Sequence, residues 1–134
     1  MSLGVLLDTN ALLLFALGPE RANLAAQAVF TGQDRFISQV CAIEIAIKHS
    51  LGKLPLPAPF GTDFARAFEQ MATDLDADIL PITLKHIDRL GRLPLFHRDP
   101  FDRLIIAHAL EDDLTVMSRD RVFTAYPGLG LFLI

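Results

Sequence analysis

The chain has a single cysteine, Cys41, among its 134 residues, so no disulfide can form within it. Cysteine and the four histidines are too scattered for a zinc ribbon. No stretch reaches the run of about 18 apolar residues that a membrane-spanning helix needs. The longest candidates, Ala11 to Leu17 and Leu104 to Leu110, are broken by Gly18-Pro19 and by His108. No basic segment precedes the first apolar stretch, so a secretory leader is not expected and the protein reads as cytoplasmic, with no membrane partner. Linkers rich in glycine and serine, internal repeats and low-complexity tracts are also missing, which leaves one domain over residues 1–134. Nor is there an excess of positive charge. The net charge is −4, so the overall field does not advertise nucleic-acid binding.

What the chain does have is apolar residues, 51% of the total. That excludes intrinsic disorder and is high for a lone small domain, so part of it is expected in an interface. Charge is segregated. Lys85 to Arg103 holds five bases (Lys85, Arg89, Arg92, Arg98, Arg103) against Asp88, Asp99 and Asp102, whereas Glu69 to Asp78 holds four acids and no base.

Short apolar strands alternate with helices along the chain. Strands are predicted at Leu3–Leu7, Arg35–Ser38, Ile79–Ile82, Leu114–Met117 and Leu129–Leu133. Pro81 puts the third of these at a sheet edge. Helices are predicted at Ala11–Leu17, Arg21–Phe30, from Ser38 through Leu51, from Thr62 to Ala72, from Thr83 to Leu90 and from Asp99-Pro100 through Glu111, with a brief one at Arg121–Ala125. The pattern implies an α/β domain with a mostly parallel sheet of about five strands covered on both faces, an α/β/α sandwich. In such sheets ligands bind beyond the carboxyl ends of the strands.

Four acids fall at that end. Asp8 directly follows the first strand, and Asp120 follows the fourth within Ser118-Arg119-Asp120. Glu44 sits two turns into an apolar helix, among Cys41, Ala42, Ile43, Ile45, Ala46 and Ile47. Asp102 lies in the first turn of its helix, in capping-box spacing with Asp99. Each has an ordinary local role, as a cap or, for Glu44, as an i,i+4 partner of Lys48. Four carboxylates in one crevice repel by several kcal/mol unless neutralised. Oxygen ligands alone favour Mg²⁺ or Mn²⁺, and such clusters serve phosphoryl transfer.

These residues resemble a known family. Leu6-Leu7-Asp8-Thr9-Asn10-Ala11-Leu12-Leu13 resembles the opening of the PIN-domain ribonucleases, and Ser38 to Lys48 their second acidic motif. His97-Arg98-Asp99-Pro100-Phe101-Asp102-Arg103-Leu104-Ile105-Ile106-Ala107 is similar to the third and most specific, and Ser118 to Tyr126 to the fourth. The resemblance spans the chain and points to VapC-type toxins of bacterial toxin–antitoxin pairs. It implies a metal-dependent endoribonuclease that cuts RNA, uses Asp8, Glu44, Asp102 and Asp120 as ligands, and is restrained by a cognate antitoxin. Asn10, Arg98, Arg103 and Ser118 are the implied RNA contacts, and a homodimer is the implied assembly. Two residues depart from the subgroup pattern: Asn10 replaces a common histidine and Ile43 a common tryptophan.

Other readings fit less well. An aspartate-nucleophile phosphatase wants an acid two residues after Asp8, where Asn10 stands, and a receiver-type domain wants a late lysine, whereas the last is Lys85. An inactive PIN-like module that only binds RNA or protein would not need all four acids. Asp74, Asp76 and Asp78 lack the glycine and glutamate of a calcium loop. Neither His49 nor His86 has a partner at ligand spacing, and His108 is expected on the packed side of its helix. Phe60, Phe64 and Phe68 form a stripe at helical spacing, expected with the neighbouring hairpin to meet the antitoxin.

Overall fold

A computed structural model describes residues 3–134. Five strands form one sheet: β1 (Val5–Leu7), β2 (Arg35–Ser38), β3 (Ala77–Leu80), β4 (Thr115–Ser118) and β5 (Gly130–Leu133). All pairings are parallel and the order is β3-β2-β1-β4-β5. Six helices accompany the sheet: α1 (Thr9–Leu17), α2 (Leu24–Gly32), α3 (Gln39–Ser50), α4 (Phe64–Asp74), α5 (Leu84–Arg92) and α6 (Pro100–Asp112). This is the three-layer α/β/α arrangement expected from the alternation. Among the described residues, no helix is long and apolar enough to cross a membrane.

Local chemistry sets most boundaries. Asp8, Asn23, Ser38, Asp63 and Asp99 each use a side-chain oxygen to hold an amide in the first turn of the helix that follows. Gly18-Pro19 stops α1, and Pro19–Arg21 then makes a single 3-10 turn. That turn is why α2 begins at Leu24 and not at Arg21. Asp63, not Thr62, caps α4: its carboxylate accepts from the Arg66 amide, whereas the Thr62 hydroxyl donates to the Pro59 carbonyl of the preceding turn. β3 ends one residue before Pro81 and is an edge strand, as the proline requires.

β1 is buried throughout, and Leu6, Leu7, Ile37, Val116 and Met117 fill the sheet's centre. Phe60 and Phe68 are buried as well, and the three phenylalanine rings pack in series, Phe60 on Phe64 and Phe64 on Phe68, each with centroids 5.8 Å apart. The stripe is therefore core, which corrects the expectation that it meets a partner. An exposed apolar stripe runs instead along α3 to its C-cap, where Ile43, Ile47 and Leu51 are 49%, 45% and 62% accessible.

The strand order places one feature of consequence. From β1 the chain builds outward to β2 and β3, then returns across the sheet to place β4 on the other side of β1. The switch point lies between the carboxyl ends of β1 and β4, where Asp8 and Ser118 stand.

Candidate active site

Asp8 is 3% exposed at the end of β1. One carboxylate oxygen accepts from the Ala11 amide at 2.7 Å, and the other accepts from the Ser118 hydroxyl at 2.5 Å, across the switch point. Ser118 is itself fully buried, and its Oγ accepts from the Asp120 amide at 2.9 Å. Burial pushes the Asp8 carboxyl up to about 6, against the pull of those two hydrogen bonds, and the charges of Asp102 and Glu44 add to the rise.

Glu44, 5% exposed, projects from the second turn of α3. Thr9 donates to its Oε1 at 2.5 Å, and Lys48 Nζ lies 2.5 Å from its Oε2. The helical pair with Lys48 anticipated from the spacing thus exists, with Thr9 as an additional partner. Asp102 enters from the first turn of α6. Its carboxylate takes no part in a capping box with Asp99. It accepts from His97 Nε2 at 2.8 Å, while Asp99 holds the Phe101 and Asp102 amides at 2.8 and 3.1 Å. The Asp102 carboxyl is raised, chiefly by burial, with His97 opposing and Asp99 and Glu44 adding.

Asp8, Glu44 and Asp102 are therefore within electrostatic reach of one another. Asp120 is at the same sheet end but stands apart. Its side chain is exposed and caps the following 3-10 turn through the Val122 amide at 3.0 Å. Its tie to the pocket runs from its own backbone amide through Ser118 to Asp8.

Of the residues expected to touch RNA, Asn10 and Arg98 are exposed beside the acids. Arg103 is committed elsewhere. Its guanidinium donates to the carbonyls of Pro94 (3.0 Å), Leu90 (3.3 Å) and His97 (3.4 Å) and to the Tyr126 hydroxyl (3.4 Å), so it staples the loop before α6. Ser118 is too deeply buried to meet a polymer. The role of Thr9 left no trace in the sequence, because its partner Glu44 comes from another element, whereas His97 stands five residues before Asp102 in the same motif and meets it across the start of α6.

A second titratable cluster corrects the reading of His86 as partnerless. Among the described residues, only His86, His108 and Asp112 bring three side chains of metal-ligating type within 4.8 Å. His86 Nε2 is 2.9 Å and His108 Nε2 3.0 Å from the two Asp112 oxygens. The cluster is poorly suited to a metal. The Thr83 amide donates to His86 Nδ1 at 2.9 Å, so the ring proton sits on Nε2 and leaves no lone pair there. His108, fully buried, is lowered to about 4 by burial first and by neighbouring His86 second. Cys41, pushed up to about 12 by burial, is likewise not a nucleophile.

The PIN domain model matches residues 5–129. The chain belongs to the PIN domain family. Solved structures share the fold of this PIN domain. VapBC2 from Rickettsia felis, bound to a DNA fragment from its promoter, aligns with a TM-score of 0.70 and 16% identity, over 97% of this chain and 98% of that one. FitAcB from Neisseria gonorrhoeae gives 0.67 and 23% identity over 96% of each chain. DNA-bound VapBC from Salmonella typhimurium gives 0.68 and 16% identity over 97% of each. No curated protein matches the chain.

Proposed function

We infer that this PIN domain is a divalent-metal-dependent endoribonuclease, the VapC-type toxin of a toxin–antitoxin pair. One observation carries the reading: Asp8, at the carboxyl end of the central strand, lies within electrostatic reach of Glu44 and Asp102. PIN domains are generally nucleases, and the solved neighbours include toxin–antitoxin complexes. RNA as substrate rests on the motif resemblance. By the same resemblance the protein is a cytoplasmic homodimer restrained by a cognate antitoxin.

The donor chemistry suits a hard cation. All three groups are carboxylates, and among the described residues no cation stands against buried Asp8. Mg²⁺ or Mn²⁺ held there supplies an activated water and neutralises charge developing at the scissile phosphorus. The chain's own residues set the geometry. Ser118 and the Ala11 amide fix the Asp8 carboxylate, and Thr9 fixes Glu44. Asp99 orders the helix start that presents Asp102. Asp120 has an outer role through Ser118 and ordered water. Asn10 and Arg98 meet the RNA backbone, while Arg103 shapes the loop that carries Arg98.

Incubation of total cellular RNA with the purified protein tests this. Cleavage is expected with Mg²⁺ or Mn²⁺, and none in EDTA or in the Asp8→Asn and Asp102→Asn variants. Mapped ends should be 5′-phosphate and 3′-hydroxyl, since water attacks phosphorus directly. Cyclic-phosphate ends, or activity unchanged in EDTA, would reject the mechanism. No cleavage under any condition would favour a binding module.

A further inference from the structure

Three acids in one pocket raise the question of what neutralises them before a metal arrives. Among the described residues no cation pairs with Asp8, and its two oxygens are occupied by an amide and a hydroxyl. Asp102 has His97. Among the described residues, Glu44 is the acid of the three with a permanent cation: Lys48, one helical turn along α3, places its ammonium 2.5 Å from Oε2. The other Glu44 oxygen holds the Thr9 hydroxyl at 2.5 Å, so both are engaged. Lys48 is 46% accessible while Glu44 is 6%, so the lysine reaches inward from the rim. The hydrogen bond to Glu44 holds the ammonium's pKa above its ordinary value, and the charges of Glu44, Asp99 and Asp102 add to the rise.

We propose that Lys48 is a resident counter-ion that occupies Oε2 of Glu44 and must leave it when a divalent cation binds. The inference rests on the metal site proposed above. Two cations on one buried carboxylate repel, and a divalent ion close to several carboxylates outcompetes a single ammonium. Thr9 is neutral and has no such reason to leave. Lys48 has the means to, because its stem is flexible and solvent is adjacent. The exchange makes metal affinity a property that one rim residue sets. A purely structural lysine, holding Glu44 in place, would have the opposite effect on metal binding when removed.

Mn²⁺ titrated calorimetrically into the wild type, Lys48→Met and Asp8→Asn separates these cases. The wild type is expected to bind Mn²⁺, Asp8→Asn to lose it, and Lys48→Met to bind about tenfold tighter because a competing charge is gone. Unchanged or weaker binding by Lys48→Met, beside a binding wild type and a non-binding Asp8→Asn, overturns the proposal and leaves the metal site standing. No binding by the wild type defeats both. A second readout needs no variant. Acylation of the Lys48 amine, followed by mass spectrometry, should be slow in EDTA and several-fold faster at saturating Mn²⁺. An unchanged rate means that the lysine stays on Glu44, which also overturns the proposal.

Discussion

Asp8 combines a structural cost with a chemical task. Its carboxyl is raised from 3.8 to about 6, so the folded state binds that proton more tightly than the unfolded chain does. The corresponding stability is present at low pH and is lost as pH rises from about 4 through about 6, at a cost of about 3 kcal/mol at neutrality. Asparagine removes the charge, keeps an acceptor for the Ala11 amide and loses the acceptor for Ser118. Asp8→Asn is therefore expected to gain about 1–2 kcal/mol in EDTA at pH 7.5, a few degrees in Tm, and nothing at pH 4, while abolishing cleavage. His108 works the other way. Lowered from 6.5 to about 4, it stabilises above 6.5 and loses that contribution as pH falls toward 4. Without Asp8 to offset it, the variant should lose stability more steeply than the wild type between pH 6.5 and 4.5. Thermal melts across that window check the sign, and parallel curves for the two proteins would contradict it.

At the scale of elements, Asp99 links a helix start to the pocket. Its one oxygen holds two amides, Phe101 and Asp102. Asp99→Ala is expected to cost about 1–2 kcal/mol in Tm or denaturant midpoint, and to lower cleavage by more than that loss explains, since Asp102 rides on the freed turn. Cleavage at the wild-type rate in a folded variant would separate the cap from the site. Caps of this kind are why so much was legible beforehand. Ser38, Thr83 and Asp99-Pro100 mark helix starts by local chemistry, and β2 falls at the predicted Arg35–Ser38. Strand order was not legible, because no local signal says that β4 returns beside β1. The same limit hid a partner of the site acids. Thr9 meets Glu44 only because α1 and α3 pack together, and His86 meets Asp112 only because α5 packs on α6. Spacing in sequence carries no trace of either. The phenylalanine stripe misled for a related reason: periodicity finds an apolar face and does not say what covers it.

For the whole molecule, the excess of apolar residues does reach the surface, on α3. Ile43, Ile47 and Leu51 repeat every fourth residue beside the buried Glu44 face. If the proposed homodimer uses this face, Ile43→Glu with Ile47→Glu should convert a dimer to a monomer by light scattering at an unchanged Tm. By contrast Phe68→Asp should unfold the chain, because Phe68 is 3% exposed. A wild type that is monomeric throughout the concentration series would remove the dimer from the proposed function.

β1 is only three residues long, yet it sits at the middle of five strands with a neighbour on each side. Its peptide hydrogens can reach deuterated solvent only if β2 or β4 lets go, whereas β3 and β5 have free edges. Amide exchange should therefore be slowest at Val5 to Leu7, with rates that follow global unfolding, and faster by local opening at the two edges. The acid at the end of β1 would then be anchored to the last segment to open, and thermal fluctuation of the pocket would be confined to its rim: the loop before α6 and the turn after β4. Uniform protection across all five strands would show that the sheet opens as one unit, rim and floor together.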